Sequence, residues 1–126
     1  MRTTQRKGDV ATARAVSTFT VLGFDVSIPL TESAAYDLIV DGTQGLKRVQ
    51  CKFSSTPEVD LRRIHSNSTG YVEKRVCEGA YDWLYVLRPG GCEYLWLECH
   101  AGRRSVTPRA EYELGAVAES GLLQLP

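Results

Sequence analysis

Apolar and polar residues alternate along Tyr36–Phe53 in a pattern typical of two strands joined by a tight turn. The first strand is rich in β-formers, and Gly42 and Gly45 bracket the reversal. Side chains on a strand point alternately to opposite faces. This stretch therefore predicts a β-hairpin with one apolar face and one polar face.

The rest of the chain continues this pattern with helices at both ends of a series of strands. Apolar spacing predicts a helix over Arg6–Leu22 and another over Thr107–Ser120, where Pro108 suits the first turn. The predicted strands are Phe24–Leu30, the two strands of Tyr36–Phe53, Glu58–His65, Trp83–Arg88 and Glu93–Cys99, with Tyr71–Ala80 left open between strand and helix. We therefore expect an α/β (α+β) fold, a central mixed β-sheet flanked by helices.

The polar face of the hairpin is the first candidate for chemistry. Gln50 and Lys52 share one face of the second strand, and Asp37 lies on the first strand. A carboxylate, an amide and an ammonium group brought together suit a divalent cation and a phosphate. A surface ion pair between Asp37 and Lys52 is the plainer alternative for the same residues, because such triplets are frequent by chance.

Length and composition limit the remaining possibilities. At 126 residues, we expect one domain spanning 1–126. Four cysteines are widely spaced with no CxxC pair, so a zinc site is not expected. No apolar run approaches the roughly 18 residues of a membrane span, and the N-terminus lacks a signal-peptide core. The expectation is a cytoplasmic protein without a membrane partner, nucleoid-associated if it comes from a bacterium or phage.

Overall charge says nothing about a nucleic-acid partner, because 15 basic residues balance 15 acidic ones. Local clusters say more: Lys47 and Arg48 precede the polar pair, and Arg62 and Arg63 form a doublet. Such residues can contact DNA phosphates, which requires only point charges. A solvated charged surface explains them equally well.

The stretch from Lys7 to Phe53 resembles the PD-(D/E)XK nuclease superfamily, and is most similar to group I intron-associated homing endonucleases, relatives of archaeal Holliday-junction resolvases. The resemblance implies a restriction-endonuclease-like fold. It also implies that Asp37 and Gln50 bind a metal ion, that Lys52 completes the catalytic set, and that the main-chain carbonyl of Cys51 helps to ligate the metal.

Further expectations follow from this resemblance. Relatives carry a glutamate where this chain has Thr12, so Asp9, one turn earlier, is the candidate substitute ligand. The implied cofactor is Mg²⁺ or Mn²⁺, and the implied partner is double-stranded DNA, with Lys7 and Ser33 as additional candidate contacts. Cutting both strands needs two active sites, so a homodimer or homotetramer is expected.

Three functions remain open at this point. The first is a metal-dependent DNA endonuclease of the homing type. The second is a resolvase-like nuclease acting on branched DNA with the same site. The third is a catalytically weakened DNA-binding module that kept the fold but lacks the carboxylate at the Thr12 position.

Overall fold

The computed structural model describes residues 4–31, 33–67, 70–74 and 76–126, and for 63–67 and 70–74 it describes the backbone alone. The helices are α1 (Thr4–Val21), a 3₁₀ helix (Ala110–Tyr112) and α2 (Leu114–Glu119). The strands are β1 (Asp25–Ser27), β2 (Leu38–Gly42), β3 (Gly45–Phe53), β4 (Val59–Asp60), β5 (Arg63–Asn67), β6 (Gly70–Lys74), β7 (Trp83–Leu87), β8 (Glu93–Trp96) and β9 (Ser105–Val106).

The centre of the fold is a five-stranded sheet in the order β1-β2-β3-β7-β8. The β3–β7 pair is parallel and the other neighbours are antiparallel, so the sheet is mixed, as predicted. Two antiparallel ribbons, β4–β9 and β5–β6, complete the strand set of the described residues. The predicted hairpin at Tyr36–Phe53 is present, and the predicted strands Trp83–Arg88 and Glu93–Cys99 form a second hairpin as β7 and β8.

One face of the sheet is covered by α1. Ala11, Ala15 and Phe19 recur at helical spacing and are fully buried against the sheet. The Phe19 ring lies 6.2 Å from the Trp83 ring and 5.6 Å from the Phe24 ring, measured between centroids. Helix α1 is therefore fixed on the sheet by an aromatic cluster.

The other face of the sheet packs against the β4–β9 ribbon. Its core contains Leu84, Val86 and Trp96 from the sheet, with Val59 and Val106 from the ribbon. The face opposite α1 is thus also covered. In the register of β3 and β7, Gln50 pairs with Leu84 and Lys52 pairs with Val86, so the covered part of this face lies beside Gln50 and Lys52.

Two sequence predictions of element boundaries are wrong. Glu58–His65 is not one strand: the Asp60 carboxylate accepts a hydrogen bond from the Arg62 N–H at 2.9 Å, and the chain turns there. After that turn, β5 pairs with β6, whereas β4 pairs with β9. The strand predicted over Phe24–Leu30 is also shorter, limited to Asp25–Ser27.

The helix predicted over Thr107–Ser120 is wrong as a single element. Glu113 leaves helical geometry, with φ −58° and ψ 139°, and forms an antiparallel bridge with Tyr94 beside β8. A tertiary backbone contact therefore overrides the apolar spacing, which separates the 3₁₀ helix from α2. In the stretch left open over Tyr71–Ala80, 71–74 belong to β6 and 78–79 form a turn.

Candidate functional site

Asp37 lies immediately before β2 and is held by backbone hydrogen bonds of β3. Its N–H donates to the Val49 carbonyl at 2.8 Å, and its Oδ2 accepts from the Cys51 N–H at 2.8 Å. A charge-assisted hydrogen bond of this kind fixes the carboxylate against the neighbouring strand. The carboxylate is half-buried at the end of the hairpin where the two strands separate.

The register of the β2–β3 pair brings Asp37 close to Gln50. Leu38 pairs with Val49, so extending the antiparallel register by one residue places Asp37 opposite Gln50. Val49 and Cys51 are buried towards α1, whereas Gln50 and Lys52 are only partly buried. The alternation that the sequence suggested is therefore present in β3.

Helix α1 contributes two further polar residues to the same place. Asp9 and Thr12 lie one turn apart on α1 and line, together with Asp37, a cleft of about 440 Å³. The outer wall of the cleft includes 28–31 and Ala34, and Leu30 is exposed to solvent. The structure thus brings Asp9, Thr12 and Asp37 into one cleft.

The cleft also explains the environment of the Cys51 thiol. Burial raises its pKa well above the usual value, the charge of Asp37 raises it further, and a hydrogen bond with Thr12 opposes both. The Thr12 side chain is therefore engaged with the Cys51 thiol on the α1 side of β3.

Lys52 lies on the side of the sheet that faces β4. Its charge contributes to the low pKa of Asp60, which falls to about 2 mainly through the hydrogen bond from Arg62. The neighbouring Phe53 faces α1 instead, where the Lys7 ammonium lies 5.8 Å from its ring centroid. Lys7 and Lys52 are thus directed to opposite faces of β3.

The candidate DNA-contacting residues differ in the hydrogen bonds and ion pairs that their side chains already make within the protein. Arg48 donates to both carboxylate oxygens of Asp82, at 3.1 and 3.3 Å, and to the Gly79 carbonyl at 2.6 Å. Arg62 donates to both oxygens of Asp60, at 3.0 and 2.8 Å. Both guanidinium groups therefore already have a structural role.

The other candidates in this set are distributed around the molecule. Ser33 is exposed beside the cleft, with its hydroxyl 3.5 Å from that of Thr31. Lys47 lines a different cleft, near the β2–β3 turn. The side chain of Arg63 lies outside the described part of the structure. Asp60 and Asp82 were not identified from the sequence. For Asp60 a signal existed, because residues two apart on an extended chain point to the same face, and Asp60 and Arg62 are two apart.

Comparison with known proteins gives these residues a family context. A family model described as PD-(D/E)XK endonuclease matches residues 2–110. The chain belongs to the PD-(D/E)XK endonuclease family. Comparison with curated proteins gave no match.

A solved structure agrees with this assignment at the level of the fold. The bacterial homing endonuclease I-Ssp6803I superposes with a TM-score of 0.69 and 22% sequence identity, over 97% of each chain. The resemblance inferred from Lys7–Phe53 is therefore confirmed, and so is the restriction-endonuclease-like mixed sheet. As a PD-(D/E)XK protein, the chain is a nuclease by family, and DNA is the substrate that the family implies.

From the sequence, the PD-(D/E)XK pattern is expected at Asp37, Gln50 and Lys52, and the hairpin carries these three residues. In that expectation the amide of Gln50 stands where the pattern has Asp or Glu. No helix in the described ranges is both long and apolar enough to cross a membrane.

The donor set around Asp37 suits a hard divalent cation better than zinc. Within the described residues, no three His, Cys, Asp or Glu side chains form a group able to hold a metal ion. Two carboxylates and an amide, from Asp9, Asp37 and Gln50, supply oxygen atoms, which Mg²⁺ and Mn²⁺ prefer. Such a small set fits an ion that also binds waters and a substrate phosphate.

Proposed function

We propose that this chain is a divalent-metal-dependent endonuclease that hydrolyses phosphodiester bonds in double-stranded DNA, in the manner of a homing endonuclease. The observation that carries the proposal is the position of Asp37. Its carboxylate is held by the Cys51 amide, opposite Gln50 and beside the strand that presents Lys52. Membership of the PD-(D/E)XK family supports the reaction class.

The proposed metal ligands are the side chains of Asp37 and Gln50 and the main-chain carbonyl of Cys51, with Asp9 as a further carboxylate. When bound, Mg²⁺ or Mn²⁺ supplies Lewis acidity to the scissile phosphate and lowers the pKa of a coordinated water. Asp37 is already oriented by its hydrogen bond, so little side-chain entropy is lost when it binds.

Lys52 acts on the substrate in this proposal. Its ammonium group stabilises the negative charge that develops on the phosphate oxygens, or orients the attacking water. Lys7, Ser33, Lys47 and Arg63 are proposed contacts to DNA phosphates. Arg48 and Arg62 are proposed contacts as well. Because Asp82 and Asp60 already bind their guanidinium groups, only the outer edges of these groups contact the DNA in this proposal.

A second candidate is a catalytically weakened DNA-binding module of the same fold. The observation that favours it is Thr12, whose hydroxyl is directed at the Cys51 thiol. The α1 position facing the metal site thus offers a neutral oxygen rather than a carboxylate. In both cases we infer one PD-(D/E)XK nuclease-like domain over 1–126 that assembles as a homodimer or homotetramer.

The test is cleavage of plasmid and linear duplex DNA with Mg²⁺ or Mn²⁺, with four-way junctions as competitors to detect a resolvase-like preference. Wild type is expected to cut, whereas Asp37→Asn and Lys52→Ala lose activity by at least about a hundredfold, the scale for removing one charged group from a site. Asp25→Asn is the matched control, because Asp25 is exposed on β1 away from the cleft.

Each negative result has a distinct meaning. DNA binding without cleavage in any divalent metal favours the weakened module. Equal cleavage by wild type and Lys52→Ala shows that the role given to Lys52 is wrong.

A further inference from the structure

Several arginines of this chain are already paired with acids. Arg14, Arg48 and Arg62 form ion pairs with Glu93, Asp82 and Asp60. Arg103 and Arg109 differ: within the described ranges, their guanidinium groups make no hydrogen bond or ion pair. Among the described residues, the guanidinium groups of Arg103 and Arg109 are therefore available to bind a ligand.

Arg103 and Arg109 line one pocket at the end of β8. The pocket measures about 220 Å³, and its wall includes the stacked rings of Trp96 and Tyr112, 5.1 Å apart, and the hydroxyl-bearing Thr107. Pockets for drug-sized molecules measure roughly 300–1,000 Å³. The volume therefore suits a small group such as a tetrahedral oxyanion better than a nucleotide.

The charges around the pocket favour an anion. His100, which is 3% exposed, forms the floor; its Nδ1 lies 3.4 Å from the Tyr81 hydroxyl and its Nε2 lies 3.3 Å from Glu98 Oε1. Burial lowers the pKa of His100, so its ring is neutral near neutral pH. Two arginine charges then oppose the single carboxylate of Glu98, which leaves one net positive charge.

The pocket lies on the Gln50 face of the sheet. Gln50 pairs with Leu84, and Leu84 pairs with Trp96. Two strand spacings of about 4.8 Å place Trp96 about 10 Å from Gln50, and the pocket lies beyond it. With the duplex axis running in this direction, a rise of about 3.4 Å of helix axis per nucleotide makes that distance about three nucleotides or more.

We propose that Arg103 and Arg109, with Thr107, bind a backbone phosphate of the DNA duplex at least about three nucleotides from the scissile bond. Guanidinium groups offer paired N–H donors that match two phosphate oxygens. This subsite rests on the proposed function, because DNA is the source of the phosphate, and it would fix the register of the duplex over the cleft.

The first experiment asks whether the pocket takes the anion at all. Inorganic phosphate is titrated into the ¹⁵N-labelled protein, with chloride at equal ionic strength as the reference. We expect phosphate to shift the Arg103, Arg109 and Thr107 amide signals in wild type. We expect no such shift in the double variant Arg103→Gln/Arg109→Gln.

The second experiment asks whether the phosphate belongs to DNA. Affinity for a duplex is measured against salt concentration, with Ca²⁺ replacing Mg²⁺ so that the DNA remains intact. Each single variant, Arg103→Gln or Arg109→Gln, is expected to lower the slope of log K against log[salt] by about one. Arg88→Gln, at the opposite end of β8, removes the same charge and is expected to keep the slope.

The outcomes separate this subsite from the proposed function. An unchanged slope in both variants, with normal DNA cleavage, overturns the subsite alone, even if free phosphate binds. No phosphate shift together with an unchanged slope also overturns it. A wild type that neither binds nor cuts DNA overturns the proposed function, and the phosphate titration then shows whether the pocket binds anions of another source.

Discussion

At the level of single residues, Thr12 is the position that most directly tests the proposed metal site. It shares the cleft with Asp9 and Asp37, and its hydroxyl contacts the Cys51 thiol. A carboxylate here would add a hard anionic ligand to a site with little charge of its own. We expect Thr12→Glu to tighten Mn²⁺ binding at least about tenfold, equivalent to about 1.4 kcal/mol.

Calorimetric titration of Mn²⁺ measures this directly. Thr12→Gln is the matched variant, because it has the same length without the charge. Similar affinities for the Glu and Gln variants would show that the cleft does not hold the ion.

His100 supplies a second prediction at this scale. Burial lowers its pKa in the folded state below the usual 6.5, while Arg103 lowers it further and Glu98 opposes the shift. The unfolded chain therefore takes up a proton at His100 before the folded chain does. The free energy of unfolding should therefore fall as the pH drops through 6.5 towards the lower pKa of the folded state.

Urea unfolding between pH 5 and 7.5 tests this effect. His100→Gln is expected to flatten the pH dependence, and His65→Gln serves as the comparison because the chain has two histidines. The Asp60 carboxyl, with a pKa of about 2, does not titrate in this range. An equally steep pH dependence in His100→Gln would assign the effect to other groups.

At the level of elements, the docking of α1 decides where Asp9 and Thr12 stand. Glu93 on β8 accepts hydrogen bonds from Thr18 on α1 at 2.5 Å and from the Tyr85 hydroxyl at 2.6 Å. Arg14 Nε lies 3.6 Å from the same carboxylate. This partly buried network adds polar contacts between α1 and the sheet to the aromatic packing of Phe19.

We expect Glu93→Gln to lower the free energy of unfolding by about 1–3 kcal/mol, because it weakens charge-assisted bonds in a partly buried site. Chemical denaturation measures the change. Glu119→Gln, on the exposed side of α2, should change stability by no more than about 0.5 kcal/mol. Comparable losses in both variants would contradict the structural role of Glu93.

The local sequence pattern was sufficient to predict those elements that pair with a segment close to them in the sequence. Both hairpins and α1 were predictable because turn glycines and apolar spacing specify them. The split at Glu113 and the turn after Asp60 were not, because a bridge to Tyr94 and a side-chain hydrogen bond decide them. The parallel β3–β7 pairing joins residues more than 30 apart, which no local pattern encodes.

The same distinction holds for the candidate site. Asp37, Gln50 and Lys52 could be named together as candidates from the sequence because one hairpin holds all three. The pairing of Arg48 with Asp82 was not found, since 34 residues separate them. The pocket of Arg103 and Arg109 depends on Trp96 and Tyr112 stacking, a contact between separate segments.

At the level of the whole molecule, one chain carries one candidate site around Asp37. A double-strand break requires hydrolysis of two phosphodiester bonds, one in each of two strands of opposite polarity. Two copies related by a two-fold axis meet that requirement. We therefore expect wild type to convert supercoiled plasmid directly to the linear form. Oligomers assembled from wild type and Lys52→Ala chains should instead produce nicked circles, because one site of each mixed pair is inactive.

Agarose electrophoresis of plasmid after single-turnover reactions distinguishes these products, and analytical ultracentrifugation gives the assembly state. Wild type co-assembled with Asp25→Asn is the control, and it should still yield linear DNA because both sites are intact. If wild type alone only nicks, even at concentrations far above the dissociation constant for DNA, each chain cuts independently. The proposed homodimer or homotetramer would then not be the cutting unit.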